Sequence, residues 1–184
     1  MILSSRKSSG VSLALLISLA LMSNTLAASK GSAEAGDKKY FVHIHPADRP
    51  LGPDSLIAYT LPDQFGRSHT LSAGTRILIF ADSKKGAKVV KAALERKPKS
   101  FLESHHAAYL TDVSAMPGVI FRLFALPAMR KSPYPILLLK NAKMGKRLAK
   151  TAADGKVLVL TLKKRRVEKI EETASASSLK KLLK

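Results

Sequence analysis

Arg76-Ile77-Leu78-Ile79-Phe80-Ala81-Asp82-Ser83 reads as a strand buried on both faces and followed at once by a helix cap. Ile77 to Ala81 has no polar position and is rich in branched side chains. That pattern belongs to a central strand covered from both sides, not to a half-exposed one. Asp82 and Ser83 then supply the side-chain acceptors that start helices. Beyond them Val89, Val90, Ala93 and Leu94 fall on one helical face, Lys88, Lys91 and Glu95 fall elsewhere, and Pro98 closes the segment. One β-α unit is therefore legible from some twenty residues.

Downstream the pattern continues. Ala107 to Thr111 is a second buried strand. Pro117 suits the first position of a helix whose apolar stripe is Val119, Ile120, Leu123 and Phe124, ended or kinked at Pro127. Ile136 to Leu139 is a third strand. Val157 to Leu162 and Val167 to Glu171 form an antiparallel pair around Lys163-Lys164-Arg165-Arg166, and Leu179, Leu182 and Leu183 mark a last short helix. Upstream, Tyr40 to His45 and Leu56 to Leu61 are short strands, separated by a loop holding Pro46, Pro50, Gly52 and Pro53, and Pro62-Asp63-Gln64-Phe65-Gly66 is a tight turn. The expected order is β-α-β-α-β-β-α after an N-terminal β extension. This is an α/β mixed sheet with helices on both faces and no internal repeat.

The first 27 residues read differently. Arg6 and Lys7 precede Val11 to Met22, an uncharged run of 12 residues, and Thr25-Leu26-Ala27 places small residues where a signal peptidase reads. A membrane span needs about 20 residues, so residues 1–27 are expected to be a secretory signal cleaved near Ala27, with a periplasmic or secreted product. An uncleaved anchor is the alternative. Residues 28–39 are small and polar and read as a flexible arm, which leaves 40–184 as one domain.

The order of elements resembles the thioredoxin fold. Leu61-Pro62-Asp63-Gln64-Phe65-Gly66-Arg67 ahead of Leu71 and the strand Arg76–Ala81 is similar to the lead-in of redoxin domains, over roughly residues 56–184. That resemblance implies a thioredoxin-like mixed sheet and a cis-proline at Pro135, in Tyr134-Pro135 before Ile136–Leu139. The whole sequence, with Asp112-Val113-Ser114-Ala115-Met116-Pro117-Gly118, is also similar to exported bacterial proteins, some of them labelled FAD/FMN-containing dehydrogenases. No G-x-G-x-x-G follows a strand, so the usual dinucleotide cradle is missing.

Where redoxins carry catalytic cysteines, this chain reads Ala81-Asp82-Ser83-Lys84-Lys85-Gly86, and its 184 residues include no Cys. Thiol–disulfide exchange needs a thiolate attacking sulfur, so composition excludes it. Disulfides and thiolate metal sites are excluded with it. Ser83 has no G-x-S-x-G elbow around it and reads as a helix cap. His43 and His45 share one face of a strand and, with His105, His106 or an Asp, are a weak candidate for copper or zinc. Solvated imidazoles are the simpler reading. Asp82 and Asp112 both follow parallel strands, where ligands of open α/β sheets gather, but a cap and a loop residue explain them as well. No catalytic residue, metal or cofactor is assigned.

Charge is the strongest signal. Lys and Arg number 32 against 13 Asp and Glu, a formal +19, of which the signal segment takes Arg6 and Lys7. Topological parity in a thioredoxin-like sheet brings Lys163, Lys164, Arg165 and Arg166 to the rim that holds Ser83, Lys84, Lys85 and Gly86, with Lys140 to Lys150 at the other end. A helix N-terminus favours anions, so the expected site is a basic rim for an anionic ligand. The expected function is a non-catalytic binding or accessory module. A flavin- or metal-dependent oxidoreductase is the alternative. No stacking aromatics interleave the cations, so a specific nucleic-acid partner is not expected. Peripheral anionic lipid or an acidic envelope protein fits better.

Overall fold

The computed structural model describes residues 39–153 and 155–184. Residues 1–38, on which the expected signal and most of the expected arm fall, lie outside them. Among the described residues the elements run β1 (Phe41–His45), β2 (Leu56–Pro62), β3 (Ser68–Thr70), β4 (Ile77–Ala81), α1 (Lys84–Ala93), α2 (Phe101–Ser104) and β5 (Ala107–Asp112). Then come α3 (Gly118–Ile120), a π turn (Phe121–Ala125), α4 (Leu126–Arg130), β6 (Leu137–Leu139), α5 (Ala142–Thr151), β7 (Val157–Lys163), β8 (Arg166–Thr173) and α6 (Ala176–Leu182).

The strand order is β1-β2-β8-β7-β4-β5-β6, with β3 on β2. β4, β5 and β6 are parallel, Ala81 pairing with Thr111 and Asp112 with Leu139. β7 runs against β4, and β8 against β7. β4 is central, as its apolar run requires: Leu78, Ile79, Phe80 and Ala81 have no exposed surface. Side-chain alternation splits it between two cores. Leu78 and Phe80 face one, with Leu110, Leu158, Leu160 and Leu148 of α5. Ile79 and Ala81 face the other, with Val90 and Ala93 of α1, Leu102 of α2 and Leu179 of α6.

The N-terminal extension is more than an added edge. β2 touches β8 at Leu56–Arg166, and Asp63, just beyond its other end, bridges to Leu137 of β6. β2 thus crosses one face of the sheet from its β8 side to its β6 side, and its inward residues Ile57, Tyr59 and Leu61 complete the first core. Alternation along β2 makes this possible, since Ala58 and Thr60 between them are only partly covered.

Three expectations about elements need correction. α5 was not foreseen, because its cations mask a stripe reduced to Met144, Gly145, Leu148 and Ala149. Of the two expectations for Pro127, an end to the helix is excluded: the chain turns through the π segment, where Leu126 N–H reaches back to the Phe121 carbonyl, and helix continues to Arg130. A π turn absorbs a proline that cannot donate and that crowds the preceding turn. Val119, Ile120, Leu123 and Phe124 do not face the core. They are exposed, and Phe121, Leu126 and Met129 pack inward instead.

The β7–β8 connection has a testable cost. Only Lys164 and Arg165 separate the paired Lys163 and Arg166, and both have positive φ, 48° and 67°. Two-residue hairpins with that geometry favour Asn-Gly. Lys164→Asn with Arg165→Gly is expected to raise stability by about 1 kcal/mol in a denaturant titration. An unchanged or lower midpoint would contradict the strain.

Candidate functional site

At the ends where β4, β5 and β6 terminate stand Asp82, Ser83, Asp112 and Lys140. The Ser83 hydroxyl accepts from Gly86 N–H at 3.1 Å, so it caps α1 as expected. A Cβ on Gly86 would lie 3.1 Å from the Lys156 carbonyl, and one on Gly155 would lie 2.9 Å from Cδ of Lys85. The start of α1 is therefore packed against the lead-in to β7. Lys156 pairs with Glu172 at 3.3 Å. The Ala153 N–H beside it, at 2.6 Å, is the main cause of a Glu172 pKa held below the ordinary carboxylate value. Asp112 accepts from Ser114 N–H at 2.8 Å and sits so close to α5 that a Cβ on Gly145 would meet its Oδ2 at 2.7 Å. Lys143, Lys146 and Lys150 of α5 border the same recess.

Lys163, Lys164, Arg165 and Arg166 are at the opposite end of the sheet from Ser83, Lys84, Lys85 and Gly86. Leu158, near the start of β7, lies beside Phe80, Thr161 lies beside Ile77, and Leu162 N–H donates to the Arg76 carbonyl at the beginning of β4. The expected rim is not assembled, and Lys140 and Lys143 take the place assigned to the hairpin turn. The reason is parity. The strand before α5 is parallel to β5, and the antiparallel strand is β7, one element later than the sequence reading placed it. Pro135 fails for the same reason. The Tyr134–Pro135 bond is trans, and the cis bond among the described residues is His45–Pro46. The segment leading into β7, Ala153 to Lys156, has no proline.

The histidines do not converge. His43 and His45 are exposed on β1 with rings 6.3 Å apart, and His105 Nδ1 donates to the Phe101 carbonyl at 2.8 Å. Among the described residues no three His, Asp or Glu side chains are grouped for a metal.

Two features were not foreseen. The first is the turn after β2. Asp63, with no side-chain exposure, uses Oδ1 to accept from the N–H groups of Phe65 (2.8 Å) and Arg67 (2.9 Å). Its Oδ2 accepts from Arg67 Nε (2.8 Å) and His69 Nε2 (3.1 Å). Burial pushes its pKa up, but these four donors outweigh burial and hold it below the ordinary 3.8. Buried Gln64 donates through Nε2 to the Tyr134 carbonyl (2.9 Å) and accepts at Oε1 from Ile136 N–H (2.8 Å), while Arg130 Nε donates to its backbone carbonyl (3.1 Å). This turn latches the extension to the lead-in of β6. A Pro-Asp-Gln-Phe-Gly sequence signals a turn and carries no sign of what it will bind.

The second feature is an apolar surface. Val119, Ile120, Leu123 and Phe124 are 46 to 66% exposed, and Phe65 is 49% exposed. Single exposed apolar side chains mean little, but four on successive helical turns form a patch. Residues 113–153 contain no Asp or Glu and eight Lys or Arg.

The connectivity defines the class. The order β5-β4-β7-β8, with β4 and β5 parallel, β7 and β8 antiparallel, and α1 and α6 together on one face, is a thioredoxin-like fold. This one has no cysteine. Solved structures that resemble the chain include the thioredoxin domain of a thiol-disulfide oxidoreductase from Bacteroides vulgatus (12% identity, 73% of this chain and 99% of that one, TM-score 0.47). Others are StoA from Bacillus subtilis (16%, 72% and 100%, 0.47) and the peroxidoxin BcpB from Mycobacterium tuberculosis (16%, 73% and 94%, 0.45). No family model and no curated protein matches the sequence. The matches lend no support to the resemblance to FAD/FMN-containing dehydrogenases.

Proposed function

We propose that this chain is an exported thioredoxin-fold module without thiol chemistry that binds peripherally to an anionic lipid surface through residues 118–131. The observation that carries this reading is the exposed face of Val119, Ile120, Leu123 and Phe124 inside an acid-free, cation-rich stretch. Helices that lie in a membrane interface pair such a face with Lys and Arg at its border. Here Arg122, Arg130, Lys131 and Lys140 are exposed around it. Each cation near an anionic surface is worth about 1 kcal/mol, and each half-exposed apolar side chain adds about the same on burial. Neither set alone holds a protein on a bilayer against the entropy of association, but together they suffice for reversible binding. Export is supported by Arg6, Lys7, the run Val11–Met22 and the small residues before position 28.

Co-sedimentation with phosphatidylglycerol/phosphatidylcholine vesicles tests the reading. The full chain is expected to bind these vesicles, to ignore pure phosphatidylcholine, and to release as salt rises. Leu123→Asp with Phe124→Asp is expected to weaken binding at least about tenfold. Lys164→Glu with Arg165→Glu, on the hairpin turn, is expected to leave it unchanged. Equal loss from the hairpin substitutions, or retention by the aspartate variant, would reduce the effect to general cationic adsorption and overturn the assignment.

A further inference from the structure

The geometry points to a binding site for a small amphiphilic anion, one apolar chain with one carboxylate or phosphate head, in the cleft between β3 and the start of β5. This cleft is remote from Ser83, at the end of the sheet where β4 and β5 begin. Its volume is about 910 Å³, at the upper end of the range for small-molecule sites. Tyr59, Leu102, Tyr109 and Leu137 supply apolar walls, and all four are nearly or fully buried. Burial pushes both phenols up, so neither ionises at physiological pH. Arg67, His69, Lys99 and His106 stand at the border, with Glu103 the one acid lining it among the described residues.

These border groups are not all loose. The same Asp63 carboxylate holds Arg67 through Nε and His69 through Nε2. Arg67 is also stacked over the Phe65 ring, its guanidinium carbon 5.1 Å from the centroid. That leaves the terminal guanidinium nitrogens of Arg67 with no hydrogen-bond partner among the described residues, on a side chain whose position is already set. A fixed guanidinium fork is the residue type that recognises carboxylate and phosphate. Preorganisation of this kind lowers the entropy lost when a ligand arrives. An apolar floor beside a cationic border suits an amphiphile better than a sugar phosphate or a nucleotide. The inference does not depend on lipid-surface docking, which uses a different set of residues.

The test is a fluorescence titration of the full chain with dansylaminoundecanoate. Competition by decanoate and by decyl phosphate distinguishes the two heads, and decanol is the neutral control. The wild type is expected to bind the probe, one or both anions to displace it, and decanol to fail. Asp63→Asn keeps an oxygen toward the N–H groups of Phe65 and Arg67 but turns an amide N–H₂ against Arg67 Nε and His69. It should fold and bind about tenfold more weakly. Lys99→Glu, exposed and outside the Asp63 network, should weaken binding similarly without affecting folding. Leu123→Asp with Phe124→Asp should not matter. Unchanged affinity in both Asp63→Asn and Lys99→Glu would overturn the site. So would no binding at millimolar probe, displacement by decanol as effective as by decanoate, or loss of binding in the Leu123/Phe124 variant.

Discussion

Asp63→Ala is expected to destabilise the protein by about 3 kcal/mol, the lower end of the range for breaking a buried charged pair. The lower end applies because Arg67 is 59% exposed and regains water when released. In thermal unfolding that corresponds to a loss of roughly 6–12 °C in Tm for a domain of this size. Four donors lose their acceptor together, and the N–H groups of Phe65 and Arg67 have no alternative partner inside the turn. Gln64 is held by the same turn, so the bridge between the N-terminal extension and β6 loosens too. The pH dependence follows from the direction of the shift. The folded pKa of Asp63 lies below 3.8. Its stabilisation is therefore complete above the unfolded value and is lost as pH falls through the folded one. Wild type and Asp63→Asn should converge in Tm as the pH is lowered past that point. A constant difference down to strong acid, or an Asp63→Ala protein as stable as wild type, would show that the carboxylate is not the organiser of this turn.

Leu148→Ala is expected to have a comparable effect, about 3 kcal/mol within the 2–5 typical of a buried leucine. Leu148 has no exposed surface and is the α5 side chain that seals the first core against Leu139, Leu110 and Phe80. Arg147 beside it donates to the carbonyls of Ile44, Pro46 and Arg49, so α5 also ties down the end of β1 and the loop after it. Loss of α5 packing should thus expose the β1–β2 side of the molecule first. Hydrogen exchange is expected to accelerate in β1 and β2 before β4 and β5. If all strands lose protection together, α5 belongs to one cooperative unit and the local prediction fails.

Legibility followed burial. Arg76–Ala81, Ala107–Thr111 and Val157–Leu162 were readable because central strands have largely apolar runs that few other structures explain. Ser83 was readable because a capping hydroxyl sits at a fixed offset from the helix it starts. α5 was not, since a helix packed through little more than Leu148, Met144 and a glycine looks like a solvated cationic segment. Nor was the direction of β6, an additional strand parallel to β5 that defers the antiparallel strand to β7. Lys163–Arg166 was thereby assigned to the wrong end of the sheet and Pro135 to the wrong strand. The apolar residues of the helix after Pro117 were recognised as a stripe. Which side faces the core could not be read, because Phe121, Leu126 and Met129 make a second stripe of equal quality.

Composition and local pattern were enough to decide that this protein has no thiol chemistry, that it is strongly cationic, and that its core is an α/β mixed sheet around Ile77–Ala81. Those properties depend on residue identity and on neighbours a few positions away. Only tertiary structure decided which cations share an end of the sheet, which helix face meets solvent, and that Asp63 joins Arg67 and His69 beside a cleft whose walls include Tyr109, Leu102 and Leu137. These depend on strand direction and on contacts between segments seventy or more residues apart, such as Gln64 with Tyr134. One additional parallel strand, β6, ahead of β7 reverses the direction of β7 and β8 from the one expected while leaving the local pattern of every other element unchanged.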